Sequence, residues 1–429
     1  LTEYKKIIEP VKAEEIDLAK GVVRITNRYD FIGLDHLQAA WNLEADGKIL
    51  QHGTLALPDI PAGESAEVIV PFRMPETPEP GTDYWLNIRF RLAVDTDWAR
   101  QGHEVAWAQF LLPLPVPTVP AVKAERMPAV SCREDATSLT IEGADFSLVF
   151  DKVYGILKSW TYEGKSLLVK GPRLNFWHAP TDNERNIRQE WEKFGLHAMK
   201  HRTDGFAWEK NDHCATVRIR TRIAPPVLTW AYLAEYTYHV YGGGDVVMEV
   251  SGTPRGKKKP DTLPRIGLQM AVPGDLERFQ WYGRGPGESY IDSREANRIG
   301  IYTAGIEDLY TPYIYPQENG NRTDVSWVAA TDLTGMGLLA VMPRLNFSAH
   351  LYTMENLEEA KHTCDLVKQD FITWNLDYRH NGLGTNSCGP GPLEKYQLHA
   401  EAFRFSIRLK PFSVNAISPA ALSKQRIEG

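Results

Sequence analysis

The sequence contains little cysteine. Its four cysteines are Cys132, Cys214, Cys364 and Cys388, and no two of them form a Cys-X-X-Cys pair. This spacing supports neither a zinc site nor a disulfide framework, although it leaves one disulfide open.

Positive charge and long apolar runs are scarce as well. With 48 Lys and Arg against 55 Asp and Glu, the net charge is -7. This balance argues against nucleic acid or an anionic membrane as a partner, because both attract basic surfaces. No run approaches the ~18 apolar residues of a membrane-spanning helix. The opening letters, LTEYKK, suggest the interior of a longer protein and indicate no compartment.

Alternation of strands with helices is missing too, which argues against a (β/α)₈ barrel. Instead, apolar and polar residues alternate with period 2 over many short segments, such as 22–31, 84–93 and 402–409. An Asp46-Gly47 pair marks a hairpin turn. The pattern predicts an all-β protein, and the 12 Trp and 18 Tyr fit a well-filled β core or sugar-binding faces.

A proline-rich stretch, residues 111–128, predicts the boundary between two domains. We expect an immunoglobulin-like β-sandwich over residues 1–118, with Trp41 and Tyr84 at its core Trp and corner Tyr positions. Residues 119–429 then form a second, larger β-sandwich.

One segment, 185–196, has a helical period. The apolar residues Ile187, Trp191 and Phe194 share one face, and Gly195 can end the helix. We expect it to be the only sizeable helix.

The residues before this helix have two interpretations. Thr181 and Glu184 fit a capping box, and Asp182 and Asn183 can complement the positive end of the helix. Alternatively, Asp182 and Asn183 contribute to a binding site.

A glycine-rich segment, Trp-Tyr-Gly-Arg-Gly-Pro-Gly at 281–287, invites comparison with phosphate-binding loops. Such loops follow a strand and open a helix, and their backbone N–H groups bind the anion. Pro286 removes one donor and no helical period follows, so the segment does not favour phosphate binding.

Four motifs together carry a family resemblance. The sequence is similar, in the same order, to the C-terminal region of large bacterial β-galactosidases of glycoside hydrolase family two. The motifs are RLNFWHAPTDNERN, WYGRGPGESYIDS, YTPYIYPQENGNRTDVSWV and GLGTNSCGPGP.

The resemblance implies an immunoglobulin-like domain followed by a very large antiparallel β-supersandwich. It places both catalytic Glu residues and the Mg²⁺ ligands, and Na⁺ ligands if that ion is required, in a TIM barrel absent from this chain. No catalytic residue, metal ligand or cofactor is therefore expected here. The implied partners are that catalytic barrel, a β-galactoside such as lactose and, in the full enzyme, further copies of it.

The resemblance also indicates which residues reach the substrate cleft. The loop 382–392 is expected at a concave rim, where Asn386, Ser387 and Cys388 form part of the cleft wall. Cys388 replaces a Trp that the best-known relatives carry, so an aromatic platform is lost; alternatively, Cys388 is a small buried residue. Asp182 and Asn183 are weaker candidates for the same wall.

The resemblance also reveals one more departure, at His178, and implies structural roles for other motif residues. His178 stands where relatives usually have Arg. The segment 281–292 is expected to be a turn between two long strands, with glycines at positive φ and Pro286 fixing the bend. Structural polar roles are expected for Glu288, Tyr290, Asp292, Arg294, Glu318, Asn319 and Arg322.

Two functions remain open. The chain is the non-catalytic C-terminal part or small subunit of a β-galactosidase, or it is a stand-alone carbohydrate-binding or assembly module.

Overall fold

The structure is a computed structural model that describes residues 1–428. The chain forms two compact units, the first being Leu1–Pro120 and the second beginning at Ala121.

The first unit is a seven-stranded β-sandwich. One sheet has the order β1-β2-β5 and the other β4-β3-β6-β7, and all pairs are antiparallel. The elements are helix α1 (Thr2–Ile7) and strands β1 (Val11–Asp17), β2 (Val22–Asn27), β3 (Leu37–Ala45), β4 (Lys48–Leu55), β5 (Ser65–Ile69), β6 (Tyr84–Leu92) and β7 (Glu104–Leu111).

The alternation of apolar residues explains the core of this sandwich. Leu86, Ile88 and Phe90 on β6 are fully buried, as expected when every second side chain faces the other sheet. Trp41 and Tyr84 are buried, and the Glu79 N–H donates to the Tyr84 hydroxyl at 2.8 Å, as in a tyrosine corner. The predicted immunoglobulin-like sandwich is confirmed.

The second unit is a much larger β-sandwich. Its strands are β8 (Ala121–Lys123), β9 (Ser131–Glu134), β10 (Ser138–Glu142), β11 (Phe146–Asp151), β12 (Ile156–Tyr162), β13 (Lys165–Ser166), β14 (Lys170–Asn175), β15 (Lys200–Lys210), β16 (Cys214–Ala224), β17 (Ala231–Tyr241), β18 (Val246–Arg255), β19 (Arg265–Pro273), β20 (Arg278–Gly285), β21 (Arg298–Gly305), β22 (Arg322–Thr331), β23 (Met336–His350), β24 (Phe371–His380), β25 (Phe403–Ser413) and β26 (Arg426–Glu428). Its helices are α2 (Ile187–Lys193), α3 (Met354–Glu359) and α4 (Pro419–Lys424).

Two antiparallel sheets dominate this unit. A five-stranded sheet has the order β13-β12-β11-β10-β9, and a twelve-stranded sheet has the path β14-β19-β24-β23-β25-β18-β17-β16-β15 with β20, β21 and β22 joined to it through β23. Five fully buried tryptophans fill the interior: Trp160, Trp191, Trp230, Trp281 and Trp374. Residues 1–428 therefore form an all-β chain without a (β/α)₈ barrel, as predicted.

The proline-rich stretch 111–128 is divided by the structure. Strand β7 ends at Leu111 and the first unit ends at Pro120. Beyond this point β8 pairs in parallel with β26, so residues 121–128 of the stretch belong to the second unit.

The predicted helix 185–196 is shorter than expected. Helix α2 has seven residues, because Asp182–Glu184 forms a separate 3₁₀ turn and Gly195 adopts a left-handed φ of 70°. Trp191 is buried, whereas Ile187 and Phe194 are partly buried against the core. Within residues 1–428, no helix is long and apolar enough to cross a membrane.

The glycine-rich segment needs a correction. Strands β20 and β21 pair as expected, but they are connected by 286–297 rather than by a turn over 281–292, because 281–285 belongs to β20. None of the three motif glycines, Gly283, Gly285 and Gly287, has a positive φ. Two of them are required by close packing instead: a Cβ on Gly283 would lie 2.6 Å from the Val325 Cα, and one on Gly285 would lie 2.6 Å from the Tyr302 ring. A Cβ on Gly287 would lie 3.3 Å from the Asn297 side chain.

Candidate functional site

The capping box before α2 is formed as predicted. The Thr181 N–H and hydroxyl donate to the Glu184 carboxylate at 2.8 and 3.0 Å, and His178 Nε2 lies 3.0 Å from both carboxylate oxygens. Burial raises the pKa of Glu184, but the neighbouring His178 and the hydrogen bonds from His178 and Thr181 lower it further, so the pKa lies below its usual value. His178 thus serves as the partner of Glu184.

The loop 382–392 is clamped by Asp292. Its two carboxylate oxygens accept from the N–H groups of Leu383 at 3.0 Å and Gly384 at 2.8 Å. A Cβ on Gly382 would lie 2.8 Å from the same carboxylate, and Gly384 has a φ of 63°. The glycines of this motif therefore allow the backbone to approach the carboxylate and turn beside it.

Asn183 also binds this loop, at Gly384 and Ser387. Its Nδ2 donates to the Gly384 carbonyl at 2.8 Å, and its Oδ1 accepts from the Ser387 N–H at 3.4 Å. Asn186 Nδ2 also donates to Asn386 Oδ1 at 3.2 Å. The structure therefore brings Asn183, Asn386 and Ser387 together.

The other two predicted residues lie at the edges of this group. Asp182 is exposed and faces another loop, because its N–H donates to Gln317 Oε1 at 3.1 Å. Cys388 is exposed rather than buried, so the buried alternative is wrong, and its N–H donates to the Thr385 carbonyl at 3.1 Å. Cys388 is thus at the tip of the clamped loop.

A cavity of about 440 Å³ lies between α2, the turn 259–262 and the loop 381–397. Asn183 and Asn386 line it, whereas Asp182, Ser387 and Cys388 do not. The wall also includes apolar and polar side chains: Ile187, Trp191, Phe194, Leu383, Pro392, Glu190, Lys259, Asp261 and Gln397. Apolar walls with a few polar groups are typical of small-molecule sites.

Lys259 and Asp261 were not among the predicted site residues. The sequence 256–260 indicates an exposed, solvated turn, but Lys259 donates from Nζ to the Ala400 carbonyl at 2.6 Å and borders the cavity. No signal in the sequence connects this turn to residue 400, because the contact spans 141 positions.

A buried ionic cluster supports the base of the loop. Arg265 Nη2 lies 2.7 Å from Glu318 Oε2, and its Nη1 lies 3.2 Å from Asp377 Oδ2, which also contacts His380 Nε2 at 2.7 Å. Burial raises the pKa of Asp377, but Arg265 and His380 outweigh it and hold that pKa below its usual value. Burial, followed by the charges of Glu318 and Glu288, raises the pKa of Tyr290 well above its usual value.

The carboxylates of the four motifs are occupied by structural contacts. Glu288 accepts from the Tyr313 hydroxyl and from the Gly320 N–H, the latter at 2.9 Å. Asp324 binds both Arg284 and Arg294. Among the described residues, no group of three or more His, Cys, Asp and Glu side chains is arranged to hold a metal ion.

A family model described as β-galactosidase small chain matches residues 142–409, and a second, β-galactosidase domain 4, matches residues 23–113. This chain belongs to the β-galactosidase small-chain family. It is 32% identical to a β-galactosidase from Kluyveromyces lactis over 95% of this chain and 38% of the relative. For the Priestia megaterium β-galactosidase the identity is 29%, over 96% of this chain and 39% of the relative.

The chain therefore spans less than half the length of these relatives and corresponds to their C-terminal part. A solved galactose 1-epimerase from Lactobacillus acidophilus shares 10% identity over 66% of this chain and 96% of its own, with a TM-score of 0.34. That score is below the level that indicates a common fold.

Proposed function

We propose that this chain is the non-catalytic C-terminal part of a β-galactosidase that hydrolyses terminal β-D-galactosides. Its role is to complete the wall of the substrate cleft with the loop 382–392. The double clamp of this loop carries the proposal. Asp292 and Asn183 hold the loop from two sides, so that its tip is exposed yet fixed in place.

The chemistry of a retaining glycosidase supports a non-catalytic role. Such an enzyme needs two carboxyl groups about 5 Å apart, one as nucleophile and one as acid and base. Glu184 is buried beside His178, and Glu288 is bound to Tyr313 and Gly320. Both are engaged in structural contacts, which supports a catalytic pair in the barrel that the family resemblance implies.

A fixed loop is useful to such an enzyme because a substrate must be held in the reactive geometry. Positioning groups accelerate reaction only when they act together with the reacting carboxylates. The loop therefore contributes to binding and orientation of the substrate, and hydrolysis requires both parts of the enzyme.

The test is turnover of an aryl β-galactoside by the purified chain, alone and after mixing with a catalytic-barrel portion. We expect no turnover by the chain alone and hydrolysis after mixing. The matched control replaces Glu184 or Glu288 by Gln. Turnover by the chain alone that either replacement abolishes would place the active site in this chain and overturn the proposal.

The second candidate function is a stand-alone carbohydrate-binding module, which the 440 Å³ cavity favours. Tight binding of galactosides by the chain alone, with no gain of hydrolysis on mixing, would support it. Under the first proposal, free galactose binds the chain weakly or not at all.

A further inference from the structure

A second cavity, of about 580 Å³, is rich in basic side chains. Its lining includes Arg294, Arg344, Arg379 and Lys395, with Asp324 as its one carboxylate. The lining thus carries four cations against one carboxylate, in a chain whose net charge is -7. The positive charge of the lining therefore favours the binding of an anion.

The single acidic group does not neutralise this charge. Asp324 Oδ2 lies 2.7 Å from Arg284 Nε and 2.9 Å from Arg294 Nη1, so two arginines already share it. In the part of the chain that the structure describes, Arg344, Arg379 and Lys395 form no ion pair with a carboxylate. Three cations at one cavity thus remain without a protein counter-ion.

Two of these cations are supported by aromatic rings. The Arg379 guanidinium lies 5.0 Å from the centre of the Tyr378 ring, and Lys395 Nζ lies 4.7 Å from that of Tyr396. Stacking of this kind orients a cation while leaving its N–H groups free to donate. The rings thus restrict the cations without satisfying their hydrogen bonds.

The backbone beside the cavity is also unusual. Asp324 and Arg344 have φ values of 53° and 57°, in the left-handed region that residues other than glycine rarely adopt. The pairing of β22 with β23 is irregular between Arg322 and Val325, and such bulges redirect side chains. Both residues therefore reach the cavity from a distorted strand pair.

We propose that this cavity binds a phosphate or sulfate group. Arginine presents a planar set of donors that matches the oxygens of these anions, and three free cations suit a doubly charged group. The volume also admits a sugar ring that carries the group. This site lies outside the loop 382–392, although Gln397 borders both cavities.

Titration calorimetry of the 429-residue chain tests the site, with inorganic phosphate and sulfate as probes against chloride at equal ionic strength. We expect saturable binding at millimolar anion, and roughly tenfold weaker binding for R344A and R379A, because one charged hydrogen bond contributes about 1.5 kcal/mol or more. R344K should retain part of the affinity. The matched control is K257A, which removes an exposed cation that borders neither cavity.

Three results would overturn the proposal: no saturable binding, equal weakening by K257A and R344A, or loss of binding when the catalytic-barrel portion is added. The last result would mean that carboxylates of that portion neutralise the cations. Comparison with a hexose 6-phosphate identifies the source of the anion. If the hexose 6-phosphate binds more tightly than inorganic phosphate, the natural ligand is a sugar that carries the group. If the two bind equally, the natural ligand is the free anion. Unfolding midpoints of the variants show whether each is folded.

Discussion

Replacement of Asp292 by Asn should release the loop 382–392 while leaving the sandwich intact. The carboxylate accepts from two backbone N–H groups, those of Leu383 and Gly384. An Asn side chain offers one acceptor oxygen and directs an NH₂ group towards the second N–H. One charged hydrogen bond is then lost and one backbone donor is left unpaired, which costs about 2 to 4 kcal/mol locally.

Hydrogen exchange of the two amides measures this loss directly. Because 1.4 kcal/mol corresponds to a factor of ten, we expect exchange at Leu383 and Gly384 to rise by roughly 30-fold or more. The control is Asp212→Asn, which changes an exposed carboxylate in the turn between β15 and β16. Unchanged protection at both amides in folded Asp292→Asn protein would refute the clamp. In the reconstituted enzyme the same variant should raise KM.

Three other changes probe the cleft wall, the packing and the pH response. Cys388→Trp in the reconstituted enzyme should lower KM about threefold to tenfold by restoring an aromatic platform with little effect on unfolding; unaltered kinetics would contradict a cleft role. Gly283→Ala should lower the free energy of unfolding by about 1 to 3 kcal/mol through overpacking, and Gly287→Ala by less, as denaturant titration can show; equal losses would exclude the packing explanation. Burial, aided by the charge of Arg173, lowers the pKa of His201 to about 4. The unfolded chain therefore binds this proton first as the pH falls, so stability should drop between pH 6.5 and 4, by at most about 3 kcal/mol from this group. His201→Asn should remove that part of the slope in urea titrations across this range.

The strand pattern predicted most of the fold, because alternation with period 2 identifies strands that have one buried face. The pair Asp46-Gly47, with φ values of 45° and 80°, lies at the predicted hairpin turn. Helix length was less predictable: Thr181 and Glu184 do form a capping box, but it opens the 3₁₀ turn Asp182–Glu184 rather than a long helix. Helix α2 itself begins only at Ile187.

The candidate site was predictable only in part. The resemblance named Asn183 and the residues of loop 382–392, but a hydrogen bond across 201 positions leaves no local signal in the sequence. Asp292 was expected to have a structural role, and its partners, 91 and 92 positions away, emerged from the structure. The run of lysines at 257–259 predicts a solvated turn, because nothing in its sequence distinguishes the one lysine that contacts Ala400.

Three of the four motifs that carry the family resemblance contribute to one buried polar cluster, and the fourth begins beside it. Arg265 binds Glu318 of the third motif at 2.7 Å. The His380 ring, two residues before the fourth motif, lies 6.3 Å from the ring of His178 and 6.2 Å from that of Tyr290, which belong to the first and second motifs. Buried ion pairs contribute little net stability, because desolvation offsets their attraction, but removal of one partner is costly.

The value of such a cluster therefore lies in the positions it fixes. It joins segments that are far apart in the sequence at the base of the loop 382–392, where Asp292 and Asn183 complete the attachment. At the tip, the Ser387 N–H donates to Asn183 and the Cys388 N–H to the Thr385 carbonyl, while the Cys388 side chain is exposed. Because the backbone is held and the Cys388 side chain is exposed, we expect this position to accept a larger side chain without loss of fold.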